Sequence, residues 1–364
     1  MAPDAAWLTR KRLDNQGLSR IRFRSAPEVV RWFGAAQSQD FAGAMWALGQ
    51  RLEGVTVTEI ERAFDAGEIL RTHVMRPTWH FVAPEDIRWL LQLTGPRVLA
   101  LSAYYFRKNG LDDRAVRRSR AAIERALRGG RHLTRTELGA AIRKAGIDHD
   151  GERLGNIVMH AELNAVICSG PRRGKQFTYA LLEERVPQER VRDREQALEE
   201  LTIRYFTSHG PATVRDFSWW SGLSMKDARA GLAMLGQKVE RVAIEGLDYW
   251  VVPSRTGRRA PAPLVHLLPN YDEGLIAYKD RDMPGGLPAP AGAARHGNFP
   301  HHLVIEGRLL GRWRRNLTAR GVAVDALPYR VLTRAEARSL DAMVARHGEF
   351  MGMPARSVLL DSGA

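Results

Sequence analysis

Two glutamines two residues apart, followed at once by an aspartate, are the constellation in this chain with the most chemical content. They are Gln37, Gln39 and Asp40, in the segment AAQSQDF at residues 35–41. Two amide oxygens that point at one spot can orient a water molecule. On a regular helix residues i and i+2 diverge, so these amides meet only where a helix starts or breaks. Gly34, Ala35 and Ala36 just before them let a substrate come close. The plainer reading is three polar residues at a helix end, with no chemistry.

Other catalytic signatures are missing. The sequence contains no GxxxxGK[ST], no GxGxxG after a strand and no GxSxG elbow. One cysteine, Cys168, rules out an internal disulfide and a cysteine-built zinc site. His296, His301 and His302 stand in a Pro/Gly-rich stretch without a carboxylate at useful spacing, so neither a metal nor a cofactor is expected. His73 and His80 flank a hairpin, where a structural hydrogen bond explains them as well as catalysis does. Lysine is scarce. Lys175 sits at a turn tip and reads as a phosphate contact, which gives a Schiff-base mechanism little support.

The elements that must position these residues repeat three times. Each copy reads helix, turn, helix, then two short strands around a tight or basic turn, the outline of a winged helix. The middle copy is clearest. TRTELGAAIRKAG (134–146) opens with Thr134 and Glu137, a capping box. RLGNIVMHAELNAVIC (153–168) is a second helical stretch, and a strand–turn–strand follows with Arg172, Arg173 and Lys175 at its tip. The third copy ends in VERVAIEGLDYWVV (239–252), with Glu245-Gly246 as its hairpin turn. The first ends in EILRTHVMRPTWHFVA (68–83), after which a helix is expected from Pro84 to Gly95. The expected fold class is α+β: three tandem winged-helix units at 1–110, 111–190 and 191–260, and a β-rich region at 261–364 with a basic hairpin around Glu306-Gly307. Pro187 marks the end of the second unit, and the Pro/Gly-rich residues 281–300 are expected to be a loop.

Charge supports a polyanionic partner. The 364-residue chain is 44% hydrophobic, enough for ordinary cores, and carries a net charge of +14. Arginine outnumbers lysine 48 to 7. A GC-rich genome accounts for most of that ratio, yet each guanidinium still offers a fork suited to phosphate. Residues 103–135 hold ten Arg or Lys against three acids. That run is either a solvated helix face or a phosphate-contacting one. No apolar signal core and no 18-residue apolar run is present, so a cytoplasmic bacterial protein that makes no use of a membrane is expected. A monomer is expected, because no coiled-coil seam is left over.

Three segments in order carry a resemblance: AAQSQD, the hairpin RTHVMRPTWHFV, and LLPNYDEGLIAYKDR. Together they resemble the winged-helix DNA glycosylases that unhook interstrand crosslinks, over nearly the whole chain. The resemblance implies three tandem winged helices, C-shaped around a basic concave surface. It implies hydrolysis of the N-glycosidic bond of N7-alkylated purines in double-stranded DNA, including both linked ends of an azinomycin-type crosslink. That chemistry would serve self-resistance and DNA repair, in a protein at the nucleoid through its DNA. The family's Gln-x-Gln motif falls on Gln37 and Gln39. Its central position is usually aliphatic in relatives and is Ser38 here, which bears on packing more than on the amides.

The implied chemistry is physically coherent. N7-alkylation puts a positive charge on the purine and makes it a good leaving group. The sugar then develops oxocarbenium character, and two fixed amide dipoles can face it while they hold the water. Asp40 is the obvious rival, since a carboxylate would do both jobs better; it is expected instead to cap the following helix. A crosslinked base cannot be flipped freely, because its other end is bonded to the opposite strand, so an open cleft is expected. His73, Arg76, Thr78, His80, Asn270 and Asp272 are the expected supports of the site, with Arg281 in the same third segment. Trp79 is expected in the core. Arg71, Arg172, Arg173 and Lys175 are expected DNA contacts. Arg308, Arg312, Arg314 and Arg315 on the basic hairpin are a candidate minor-groove probe.

Two other functions fit the fold-level reading. One is a non-enzymatic winged-helix transcription regulator, although regulators commonly use one such unit per chain and dimerise. The other is a drug-sequestering resistance protein, which would not need the positive charge.

Overall fold

The computed structural model describes residues 3–186, 192–253, 264–280 and 300–360. The first region contains α1 (Ala5–Asn15), α2 (Ala26–Phe33), a two-residue strand β1 (Ala36–Gln37), α3 (Phe41–Gly49) and α4 (Val57–Ala66). β2 (Leu70–Val74) and β3 (Arg76–Val82) then form a hairpin, and β1 adds to the free side of β3, giving the order β1-β3-β2. A capping box between Thr56 and Glu59 starts α4 and a left-handed Gly67 ends it.

The second region contains α5 (Pro84–Lys108), α6 (Asp113–Leu127), β4 (Leu133–Thr134), α7 (Arg135–Lys144), α8 (Gly151–Leu163), β5 (Ile167–Ser169), β6 (Thr178–Leu181) and α9 (Leu182–Arg185). The capping box read from Thr134 and Glu137 is present in full. α5 does not stop at Gly95: it runs on through Pro96 for 25 residues. Gly95 serves a close approach instead. A Cβ there would stand 2.8 Å from the carbonyl oxygen of Leu163, at the end of α8.

The third region holds α10 (Arg194–Ser208), α11 (Val214–Ser221), α12 (Met225–Leu235), and the hairpin β7 (Glu240–Ile244) and β8 (Leu247–Val251). Glu245 and Gly246 both have positive φ, 51° and 78°, as the expected tight turn requires. The C-terminal region contains β9 (Val265–Leu268), α13 (Glu273–Ile276), β10 (His301–Ile305), β11 (Arg308–Thr318), β12 (Gly321–Pro328), α14 (Arg334–Met351) and β13 (Ala355–Leu359). Its five strands form one sheet in the order β13-β12-β11-β10-β9, antiparallel except where β12 meets β13. The boundary expected at Pro187, those at 190 and 260, and Arg281, His296 and the loop up to 299 lie outside the described residues.

The cores cut across the expected unit boundaries. One buries Phe33, Trp46 and Phe64 of the first region against Leu267, Trp313, Val344 and Phe350 of the C-terminal sheet and helix. A second joins Leu70, Val82 and Leu90 to Tyr205, Phe217 and Trp220 of the third region. The second region keeps a core of its own around Ile123, Leu138, Ile157 and Leu181. The first region is thereby clamped on two sides, and it carries the glutamine pair.

Candidate active site

Gln37 lies on a strand, and Gln39 stands in the bend between that strand and the Asp40 cap, where α3 starts. Gly34, with φ of 81°, closes α2, and the chain turns into the extended β1. Gln37 pairs with His80 on β3, and His80 pairs with Thr72 on β2. In extended chain residues i and i+2 share a face. Gln37, Thr78, His80 and Thr72 therefore look to one side of the sheet, as Arg76 does, while Gln39, past the end of β1, is held beside β3 by its bond to Trp79.

Both amide oxygens are oriented by the facing strand. Gln37 Oε1 accepts from Arg76 Nη2 at 3.3 Å, and Gln39 Oε1 accepts from the backbone N–H of Trp79 at 3.3 Å. Gln37 is 6% exposed and Gln39 is open to solvent. His80 is wholly buried. Its Nδ1 donates to the carbonyl of Thr78 at 2.9 Å, which leaves Nε2 as a bare acceptor. Burial first, and the Arg76 charge next, hold its pKa well below 6.5, so the ring is neutral. Thr72 Oγ1 and Thr78 Oγ1 are likewise buried without a hydrogen-bond partner among the described residues. The face thus pairs two oriented amides with several unused polar atoms.

Behind β1 lies a carboxylate that the sequence reading passed over. Glu273 Oε1 accepts the backbone N–H of Gln37 at 2.7 Å, and Glu273 Oε2 accepts from Trp220 Nε1 at 2.8 Å. His209 Nε2 lies 3.3 Å from the same oxygen without hydrogen-bond alignment. Its neighbour Asp272 supports the site indirectly: wholly buried, it caps α13 and forms a two-pronged pair with Arg51 at 2.8 and 2.9 Å. Asn270 donates its backbone N–H to His301 Nδ1 at 3.1 Å.

Asp40 caps α3 and accepts from the N–H of Gly43 at 3.2 Å. His73 turns to the opposite face of the sheet from Gln37, pairs with Glu162 of α8, and lies against Trp79 with the rings tilted, 4.3 Å between centres. Ser38 is buried with its hydroxyl unpartnered among the described residues, and its carbonyl accepts twice from Arg71 at 3.1 and 3.2 Å. Arg71 is accordingly 8% exposed and wedged between Trp79 and Phe177. Burial lowers its pKa to about 10. Expected as a DNA contact, Arg71 is turned inward, where it props the glutamine segment.

The other basic residues divide. Arg172 bonds Glu61 of α4 at 2.7 Å and is 17% exposed, so the second hairpin folds back on the first region. Arg173 pairs with Glu137 yet stays 55% exposed, and Lys175 is exposed. The C-terminal hairpin differs more. The Glu306-Gly307 turn is packed against α1: a Cβ on Gly307 would stand 2.1 Å from Thr9. Arg308 is exposed at that packed end, whereas Arg314 and Arg315 lie toward the other end of the same 11-residue strand. Arg312 bonds Tyr329 and His302, and Arg314 pairs with Asp325 at 2.8 Å. The exposed turn is the one between β11 and β12, with Asn316, Leu317, Thr318 and Arg320 at its tip.

The model of the family described as DNA glycosylase AlkZ-like matches residues 30–350, and the chain belongs to that family of DNA glycosylases. The interstrand DNA cross-link repair glycosylase of Streptomyces sahachiroi is 24% identical over 318 residues, covering 83% of this chain and 85% of that protein. The solved structure of the DNA glycosylase AlkZ of Streptomyces sahachiroi superposes with a TM-score of 0.75 at 21% identity, over 98% of this chain and 100% of that one.

Proposed function

We propose that this glycosylase hydrolyses the N-glycosidic bond of N7-alkylated purines in double-stranded DNA and unhooks interstrand crosslinks built through that atom. The observation that carries the reading is that the amide oxygens of Gln37 and Gln39 are both held by residues of β3, Arg76 and Trp79. Each amide oxygen has two acceptor sites, and one remains for a water after the bonds to Arg76 and Trp79. The water oxygen bonds C1′ of the sugar. The C1′–N9 bond breaks, and its electron pair neutralises the cationic purine. One water proton leaves to solvent. The leaving group is already activated, so oriented dipoles suffice and a strong base is not needed.

The rest of the molecule suits a duplex. Three helix–helix–hairpin units read as winged helices set around a basic concave surface, with the units bounded near 110, 190 and 260. Arg173, Lys175, Arg308 and Arg315, with the exposed β11–β12 turn, are the surface groups that would meet phosphate or groove. Arg76, beside Gln37, would meet a phosphate flanking the lesion. Thr78 and His80 support the water site, Asp272 and Asn270 fix the segment behind it, and Asp40 and His73 hold its flanks. The protein acts as a monomer at the nucleoid, and a regulator reading is not favoured by family membership.

The test is release of free base from DNA carrying N7-alkylguanine. Wild type releases base; the Gln37→Ala, Gln39→Ala double variant binds the same DNA and releases none. Equal release by both proteins would remove the glutamines from the mechanism.

A further inference from the structure

The second half of α5 exposes an unusual set of side chains. Leu101 is 62% exposed, Tyr104 63% and Tyr105 55%, the two rings meeting edge to face at 5.4 Å. Arg97 and Lys108 are exposed on the same helix. Positions 97, 101, 104 and 108 follow i, i+4, i+7, i+11, so they form one stripe, with Tyr105 along its edge. From Ile87 to Lys108 the helix carries no acid at all. The stripe leads into the segment with ten cations against three acids.

The stripe starts beside the candidate active site. Arg97 Nε donates to the carbonyl of Gly222 at 2.8 Å. Gly222 packs directly on Met75, with room for no Cβ, which would stand 1.9 Å from the Met75 carbonyl oxygen. The next residue, Arg76, bonds Gln37 and lies 5.9 Å from the ring of Trp219, which is 38% exposed. A continuous path therefore runs from Gln37 past Trp219 and along α5 to Lys108. Its helical part covers about 16 Å, at about 1.5 Å per residue. That is the length of roughly five nucleotide steps of one strand.

Taking the glycosylase reading as its base, we propose that this stripe binds single-stranded DNA adjoining the damaged duplex. The preferred substrate is then a lesion next to a junction between paired and unpaired DNA. Cations alone would suit the phosphates of a duplex, but a duplex hides the faces of its bases. Exposed rings and a leucine interleaved with cations match a strand whose unpaired bases can stack while its phosphates are neutralised. Burying Leu101, Tyr104 and Tyr105 against bases also removes apolar surface from water.

The experiment measures binding of undamaged DNA by fluorescence anisotropy. One probe is a blunt duplex; the others add a five-nucleotide tail, 5′ or 3′. The variant is Tyr104→Ala, Tyr105→Ala, whose side chains are mostly in solvent, so folding is retained. Wild type is expected to bind one tailed probe about tenfold more tightly than the blunt one, and the variant to lose that gain while binding the blunt probe as before. Equal wild-type affinity for tailed and blunt probes would overturn the proposal, and so would a tail preference that survives in the variant. Sedimentation of both proteins completes the test: a wild-type dimer that the variant abolishes, without a tail preference, would make the stripe a self-association surface. Base release from a blunt alkylated duplex is measured alongside, so that failure of the catalytic reading is separable from failure of this one.

Discussion

Glu273 accepts the backbone N–H of Gln37 at 2.7 Å across 236 residues of chain. This bond ties β1, and with it the glutamine pair, to the third and C-terminal regions through Trp220 and α13. Replacing Glu273 by alanine leaves two buried N–H groups without an acceptor. The expected cost is about 3 kcal/mol of stability, with a loss of base release larger than that instability explains. Glu273→Gln is a finer probe. Its amide oxygen can serve only one of the two donors, and its NH2 group would face the other. Denaturant unfolding and base release at a temperature where both variants are folded check this; unimpaired release by folded Glu273→Ala would show that the tether does not set the glutamine geometry.

Asp40 is the carboxylate nearest the glutamines in sequence, and its Oδ1 is used at the N-terminus of α3. Asparagine caps a helix nearly as well as aspartate, while alanine costs about 1 kcal/mol. Asp40→Asn is therefore expected to fold normally and to release base at close to the wild-type rate. Asp40→Ala is expected to be mildly destabilised and still active. A loss of a hundredfold or more in Asp40→Asn, with its melting temperature unchanged, would move Asp40 from the helix cap into the chemistry.

What the sequence discloses and what it hides separate by range. The Thr134–Glu137 box and the Glu245-Gly246 and Glu306-Gly307 turns are legible because each is decided within four residues. The strand nature of Gln37 is not, because it depends on pairing with His80 more than forty residues on. Glu273 reads as one more acid in DEGLI; only the fold gives it Gln37 and Trp220 as partners. The same holds for the Arg51–Asp272 pair, whose members are 221 residues apart. Arg71 looks like any surface cation until Ser38, Trp79 and Phe177 are seen around it. The mixed helix-and-sheet class is legible from such local patterns as the box and the turns. The groups that hold the glutamine motif rigid come from distant segments, and no local pattern marks them.

Gly95 is a local signal whose meaning the fold reverses. Inside α5, alanine would on helix propensity alone gain up to about 1 kcal/mol. Within α5 a Cβ would stand 2.8 Å from the Leu163 carbonyl, a backbone atom that cannot swing aside. Steric strain of about 1–3 kcal/mol exceeds the propensity gain. Gly95→Ala is thus expected to lower the unfolding midpoint, and Gly129→Ala, although strained at positive φ, to lower it without disturbing the α5–α8 contact. Hydrogen exchange of the α8 amides distinguishes the two: faster exchange near Leu163 is expected only in Gly95→Ala.

Acid should unfold this protein early, and the reason lies where α14 crosses the sheet. Burial depresses His266 and His301 to about 4 and His347 to about 3. In the unfolded chain each titrates near 6.5. Below about pH 6.5 the unfolded state therefore takes up protons that the fold refuses, and stability falls as pH drops toward 4, continuing toward 3 for His347. His301 Nδ1 also accepts a bond from Asn270, which protonation would break. His347 has neither ring nitrogen bonded among the described residues and stands 4.7 Å from Trp46 and 5.8 Å from Trp313, ring centre to ring centre. His347→Leu removes one of these groups without leaving a donor unpaired. Melting curves taken from about pH 7 to about pH 4 should fall steeply for wild type and less steeply for His347→Leu. A wild-type midpoint that stays level down to about pH 5 would mean that these histidines keep ordinary pKa values in the folded protein.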